Sequence, residues 1–285
     1  MKRAAELIRN KKDMKTLVDI TSAFEGLASM RIAQVKNKVK ESQAFFAELW
    51  NIYTQIRVDE TFHFGRLSGN HAVSNKDLII IITAEGGFSG DIDQKLLSGM
   101  LREYQKDKSD IIVVGHHGAV QLTQNGIPIL KYFKLPEHDA NINSAPIIEE
   151  VLKHKSTTLY YQTYVSLMVQ DVKKIALSAA VAERGQNVKS ALDEISESTY
   201  IFEPSTHAVV DHLEKSMLQI AINEAILESK LAQFASRFRA MSEAHNRSDD
   251  MLSDISLSLN RSMRYARDER MKEIMNGLRA AGASI

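Results

Sequence analysis

The sequence contains no cysteine, which removes disulfides, thiolate zinc sites, iron–sulfur ligation and cysteine nucleophiles together. A chain without thiols fits a reducing compartment. Long apolar runs are missing too: the longest, Leu78 to Ile82, falls far short of the ~20 residues that a membrane helix requires. Met1, Lys2 and Arg3 lead into polar, helix-forming sequence rather than the apolar stretch of a secretory leader, so the chain reads as neither exported by a leader nor membrane-inserted. Neither charge sign predominates, because 36 Lys plus Arg balance 36 Asp plus Glu. The simplest electrostatic case for nucleic-acid binding is thereby excluded.

Proline and glycine are scarce, with 4 and 13 copies in 285 residues, and their placement is informative. Nine of the 13 glycines fall between Gly65 and Gly126, residues 1 to 64 hold only Gly26 and no proline, and residues 205 to 276 hold neither. Helix interiors exclude these two residues, so the pattern predicts long terminal helices around a mixed centre.

In the C-terminal segment, alternate steps of four and three from Leu213 visit Met217, Ile220, Glu224, Leu227, Leu231, Phe234, Phe238, Met241, His245, Ser248, Leu252, Ile255, Leu259, Ser262 and Ala266. Eleven of these sixteen positions are large and apolar, a sustained heptad that predicts a coiled-coil strand. Pro204 closes the preceding segment, and Ser205 or Thr206 can cap the helix after it. The N-terminal segment offers a second stripe at Met14, Leu17, Ile20, Phe24 and Leu27. After a register slip it continues at Val35, Val39, Phe46, Leu49, Tyr53 and Ile56. Two strands at opposite ends of one chain pair most economically as an antiparallel coil within the molecule. At ~1.5 Å per residue, residues 205 to 276 span roughly 108 Å, whereas a compact globule of this size measures about 50 Å, so an elongated molecule is expected. The C-terminal helix outlasts its partner by about 15 residues. Met271, Ile274, Met275 and Leu278 in that tip call for cover from another protein.

The centre carries β-branched runs at Asp77 to Thr83 and Asp110 to Gly115, each followed by a glycine-containing turn and helix-like sequence, as in buried parallel strands of βαβ units. Ile127 to Phe133 is a third candidate strand. Ser144 is placed to cap a helix over Pro146 to Lys155, Leu159 to Val169 and Val172 to Ala180 suggest a hairpin or two edge strands, and Gly185 to Ser198 reads as a linker or short amphipathic piece. The fold class expected is α/β: a long antiparallel coiled coil of N- and C-terminal helices, residues 1–57 and 205–281, with a doubly wound α/β domain inserted at 75–200.

Chemistry is sparse. The turn AEGGFSGD, residues 84 to 91, lies between a strand and a helix, where backbone N–H groups can cradle a phosphate. It lacks both the GxxxxGK[ST] and the GxGxxG patterns, and Glu85 and Asp91 would repel an anion. His116 and His117 end a strand but are not spaced to chelate a metal. His245, in the seam, is placed to set register. The acidic pairs Glu149–Glu150 and Asp249–Asp250 read as solvated helix faces, and Trp50 as core filling. Arg261, Arg264, Arg267 and Arg270 wind halfway round their helix in steps of about 60°. They either pair with Asp268, Glu269 and Glu273 or face acidic loops of a surrounding protein sheath.

These segments together resemble the gamma subunit, or central stalk, of F-type ATP synthases. The resemblance lies in ITSAFEGLASMRI from Ile20, in TAEGGFSGDID from Thr83, in YIFEPS from Tyr200, in ESKLAQFASRFRAM from Glu228 and in LSLNRSMRYARDERMKEIMNG from Leu257. Phe24 stands where the family usually has Met, and Gly86 where a basic residue is usual. Met263, Arg264, Arg267, Asp268 and Arg270 replace the common Arg, Gln, aliphatic residue, Thr and Glu, which marks a divergent member. The lack of cysteine argues against the thiol-regulated chloroplast form. The resemblance implies a subunit with no catalytic residues, cofactor or metal of its own. Its coiled coil would turn as a shaft inside a ring of three alpha and three beta subunits, while its α/β domain joins the epsilon subunit and the membrane c-ring. One copy per complex is implied, peripheral on the cytoplasmic face of a bacterial plasma membrane, with no nucleic acid bound. Partner contacts are expected at Thr21, Phe24, Arg31, Arg237, Met241, Asn260, Arg261, Arg264, Arg267, Arg270, Glu273 and Ile274. Two competing readings remain: a coiled-coil scaffold or adaptor with a small α/β ligand-binding head, and an enzyme built on the turn at Gly86 to Gly90.

Overall fold

The computed structural model of the chain describes residues 2–56, 74–136, 139, 142–178, 180–181 and 201–282; the expected linker at Gly185 to Ser198 lies outside them. Helix α1 runs over Lys2–Gln55. A central region follows with β1 (Asp77–Ile82), α2 (Ile92–Leu101), β2 (Ser109–Val114), α3 (His116–Gln124), β3 (Lys131–Phe133), α4 (Ala145–Val151), β4 (Thr157–Tyr164) and β5 (Gln170–Ala176), and α5 closes the chain over Thr206–Gly282. Contacts divide the chain into two compact units, one of Met1–Leu27 with Phe238–Ile285 and the other of Ala28–Arg237.

In the second unit the strands form one sheet in the order β3-β2-β1-β4-β5. The first four are parallel, and β5 folds back antiparallel on β4 as a hairpin. The apolar run of β1 is continuous because both sheet faces are covered. Ile79 and Ile81 pack with Leu96, Leu97 and Met100 of α2 and Leu122 of α3. Leu78, Ile80 and Ile82 pack with Ile147 and Ile148 of α4, with Phe46 of α1, and with Met217, Ala221, Ile222 and Ala225 of α5. Helices on both faces and a strand order that reverses beside β1 make this a doubly wound arrangement. Trp50 packs against the same core and lies 6.0 Å, centroid to centroid, from Phe46.

Several local expectations need correction. β3 is only three residues long, Lys131–Phe133, because Ile127 to Leu130 approach β2 only through the Leu130 N–H bond to the Ile111 carbonyl, 2.8 Å. α4 stops at Val151, and the Ser144 hydroxyl donates not within that helix but to the Gln219 carbonyl of α5, 3.4 Å. Glu150 is buried rather than solvated, since Lys131 on β3 and Lys153 reach it at 2.6 and 2.8 Å and hold its carboxyl below the usual range. Ser205 does cap α5, accepting from the Ala208 N–H at 3.2 Å.

The two long helices run antiparallel in this unit: Tyr53 Oη donates to Glu214 and Gln43 Nε2 to Glu224, so α5 numbering rises as α1 numbering falls. Every α5 seam position from Leu213 to Phe234 is buried or half-buried. The α1 seam, however, is one unbroken heptad with no slip. Its non-exposed positions are Met14, Val18, Thr21, Glu25, Ala28, Ile32, Val35, Val39, Ser42, Phe46, Leu49, Tyr53 and Ile56, while Leu17, Ile20, Phe24 and Leu27 are exposed. At about 100° per residue these four large side chains fall beside the seam.

In the first unit, His245 of the α5 seam places Nδ1 3.3 Å from the Val18 carbonyl. A carbonyl oxygen only accepts, so Nδ1 carries the proton. Met241 and Leu259 are buried, and every residue from Met263 to Arg279 is exposed.

Candidate functional site at the carboxyl ends of the strands

A doubly wound sheet takes its ligands in the crevice outside the carboxyl ends of the strands, where strand order reverses. Here the reversal lies between β1 and β4, and polar side chains of the chain itself meet beside it. Asp93, in the first turn of α2 and 4% exposed, accepts from the Ala84 N–H at 3.2 Å, from Gln162 Nε2 of β4 at 2.6 Å and from His117 Nδ1 of α3 at 3.0 Å. Burial holds the Asp93 carboxyl above the usual carboxylate range, and the His117 and Ala84 hydrogen bonds pull against it. Gln162 in turn accepts at Oε1 from the Ser229 hydroxyl and from Gln233 Nε2 of α5. The network therefore crosses from α2 through β4 into the long helix.

The glycine-rich turn is closed in the same manner. Arg237 of α5 donates through Nε to the Gly87 carbonyl at 3.0 Å and lies 5.3 Å from the Phe234 ring centroid, and Ser236 Oγ donates to the Ser89 carbonyl at 2.7 Å. Burial lowers the Arg237 guanidinium from its ordinary value, and nearby Asp93 offsets part of this. Gly90 has φ +66°, and a Cβ there would stand 3.2 Å from Ser236 Oγ, so a glycine lets the turn meet α5 at this distance. The remaining anion position, the N-terminus of α3, is taken by Glu85, whose Oε2 accepts from the His116 N–H at 3.1 Å and the Leu135 N–H at 3.2 Å. The carboxylate expected to repel a ligand instead occupies the place a ligand phosphate would use.

A separate cavity of about 430 Å³ opens at the amino ends of β1 and β2, with Lys76, Asp110, Pro128 and Ile129 in its wall. In its wall Lys76 Nζ meets Asp110 at 2.9 Å, and His154 Nε2 reaches the same carboxylate at 3.3 Å. Among the described residues no group of three or more His, Asp or Glu is arranged to hold a metal, and no helix is long and apolar enough to cross a membrane.

The residues expected at partner contacts divide by position. Thr21 is buried, with its hydroxyl donating to the Leu17 carbonyl at 2.8 Å, Met241 is 7% exposed, and Arg237 is engaged with the turn. Phe24, Arg31, Asn260, Arg261, Arg264, Arg267, Arg270, Glu273 and Ile274 are exposed. Among the described residues none of the four arginines of the α5 tip makes an ion pair, the only one on α5 beyond Met241 being Arg247 with Glu243.

A family model described as ATP synthase matches residues 4–281. The chain belongs to the ATP synthase gamma-chain family. Among curated relatives it is 25% identical to the ATP synthase gamma chain of Clostridium novyi, over 97% of this chain and 98% of that one. It is 22% identical to that of Halothermothrix orenii, over 98% and 99%. Its fold is similar to a chain of the Euglena gracilis mitochondrial ATP synthase, with TM-score 0.62, 13% identity, and 98% and 96% coverage. It is also similar to one from the central stalk and c-ring assembly of the Tetrahymena thermophila enzyme, with TM-score 0.55, 16% identity, and 79% and 99% coverage.

Within this family member, sequence reasoning missed Asp93, Gln162, Ser229 and Gln233. The sequence does mark the second buried face of α5 on which two of them lie, because residues 217–227, MLQIAINEAIL, are more apolar than a single coiled-coil seam needs, but nothing in it marks the four residues themselves.

Proposed function

We infer that this chain is the rotating central stalk of an F-type ATP synthase, a mechanical subunit that links ion flow across a membrane to ATP synthesis or hydrolysis on other chains by rigid-body motion. The family match along residues 4–281 carries this reading. The geometry supports it, because side chains of α5 bond into the crevice and the turn that a ligand-binding head or an enzyme would use, while the tip of α5 is exposed on every side. On this reading the exposed residues of the tip, Asn260 to Ile274, together with Phe24 and Arg31, meet the alpha and beta subunits. Thr21, Arg237 and Met241 support those contacts by holding their helices in place. The α/β domain, residues 75–200, faces the epsilon subunit and the c-ring. One copy serves each complex, peripheral on the cytoplasmic face of a bacterial plasma membrane.

Co-expression of the tagged chain with the alpha and beta subunits encoded beside it, followed by native mass and ATPase measurement, tests this. A complex of three alpha, three beta and one copy of this chain is expected, with hydrolysis that falls when residues 267–285 are deleted. A soluble homodimer indifferent to those subunits would overturn the reading and return the scaffold alternative.

A further inference from the structure

Helix α5 is buried on two sides where it crosses the sheet. One stripe faces α1. The other, Leu218, Ile222, Ala225, Ser229, Gln233 and Ser236, advances in steps of three and four and lies roughly 165° away, on the nearly opposite face; all six residues are buried. This second stripe changes character along its length. Up to Ala225 it is aliphatic and packs on the sheet core, where contact is non-directional and one apolar surface replaces another as the helix turns about its axis. From Ser229 it is polar, and its hydrogen bonds have fixed geometry in a buried site.

We propose that Gln162 is a positioning residue for the rotary function: with Asp93, Ser229 and Gln233 it forms a buried latch that carries torque between the α/β domain and α5. The amide is held in one orientation. Its Nε2 faces the Asp93 carboxylate at 2.6 Å, and its Oε1 faces two donors of α5, Ser229 and Gln233. Gln233 also donates to Ser229 at 3.0 Å, so the α5 side is tied together as well. Asp93 is in turn fixed to the end of β1 by the Ala84 N–H and to α3 by His117. Turning α5 against the sheet separates each of these partners at once, whereas it costs the aliphatic part of the stripe little contact. A glutamate at 162 would set a second carboxylate against Asp93, and a leucine would remove the bridge that joins Asp93 to Ser229 and Gln233.

The proposal rests on the central-stalk reading, and its test uses the complete ATP synthase in inverted membrane vesicles. ATP hydrolysis and the ATP-driven membrane potential, read with a voltage-sensitive dye, are measured on the same vesicles for Gln162→Leu, Gln162→Glu and the milder Ser229→Ala. Ile226→Val serves as an apolar control at the same interface. The expected result is retained hydrolysis with potential generated per ATP hydrolysed reduced at least threefold in the Gln162 variants, a smaller reduction in Ser229→Ala, and an unchanged ratio in Ile226→Val. A ratio in the Gln162 and Ser229 variants equal to that of the control, at comparable loss of thermal stability, would overturn the latch. If the Gln162 variants fail to assemble, Ser229→Ala decides alone, because it removes one hydroxyl and no packing volume. Failure of the stalk reading itself shows differently: the wild-type chain then supports no coupled potential at all.

Discussion

Two stretches of the same helix, residues 217–236 and 263–279, have opposite surroundings. In the first almost every residue is buried, with α1 on one side and the sheet on the other. In the second every residue is exposed, although Met263, Met271, Ile274, Met275 and Leu278 are as apolar as anything in the first. Both are free of glycine and proline before Gly277, so helix formation itself does not distinguish them. The lesson is that the first stretch has its partners inside the chain and the second must find them outside it. Burying one such large side chain is worth roughly 1.5–3 kcal/mol, and four unpaired arginines add a demand for acidic neighbours.

Substitutions can break this contrast. The largest effect is expected for Ile222→Ala, which opens a cavity between α5 and the sheet and lowers stability by about 2–5 kcal/mol. The matching Ile274→Ala in the tip changes the stability of the isolated chain by less than about 0.5 kcal/mol. Chemical denaturation of the two variants measures the difference, and equal losses would erase the contrast. Next in size, Arg264→Glu with Arg267→Glu leaves the isolated chain's stability unchanged but weakens its association with alpha and beta subunits by about tenfold or more, read as the concentration needed to restore ATPase activity.

A third change sharpens the account of the inner stretch. Burial and the neighbouring Glu214 push the Tyr53 hydroxyl up to about 12, so it stays a donor to that carboxylate. A raised pKa contributes stability that is complete below the unfolded tyrosine value of about 10 and lost as pH rises through the folded one. Tyr53→Phe is expected to cost about 1 kcal/mol at neutral pH and to flatten the alkaline loss between those two values, measured as denaturation midpoints against pH. The smallest effect concerns Asp93, whose carboxyl burial raises. Its contribution is complete below the ordinary carboxylate value of about 3.9 and diminishes as pH rises through the raised value. Asp93→Asn therefore gains stability relative to the wild type as pH increases over that window, and a difference that shrinks with pH would contradict the assignment.

The sequence was most legible where a period or a two-faced run had to satisfy one environment. The α5 heptad from Leu213 and the strands at Asp77 and Asp110 could be read directly, since a coil seam repeats every 3.5 residues and a strand buried on both faces has no polar alternation. The α1 seam was less so. Size suggested Leu17, Ile20, Phe24 and Leu27, while the buried heptad runs through Val18, Thr21, Glu25 and Ala28, because position on the helix face and not side-chain size decides which residues are covered. The latch was not legible at all: Asp93, Gln162 and Ser229 are joined only by folding, and no spacing in the chain marks a hydrogen bond between residues so far apart. The glycine-rich turn was visible, but only the fold reveals that Arg237 and Ser236 close it.

Rotation is the central claim, and the absence of cysteine makes it directly measurable. A single Lys106→Cys substitution in the exposed loop after α2 gives a unique attachment point. A bead linked there, with the alpha and beta subunits fixed to a surface and ATP supplied, is predicted to turn in one direction in discrete steps. ATP hydrolysis at the normal rate with a bead that only fluctuates in place would contradict the account.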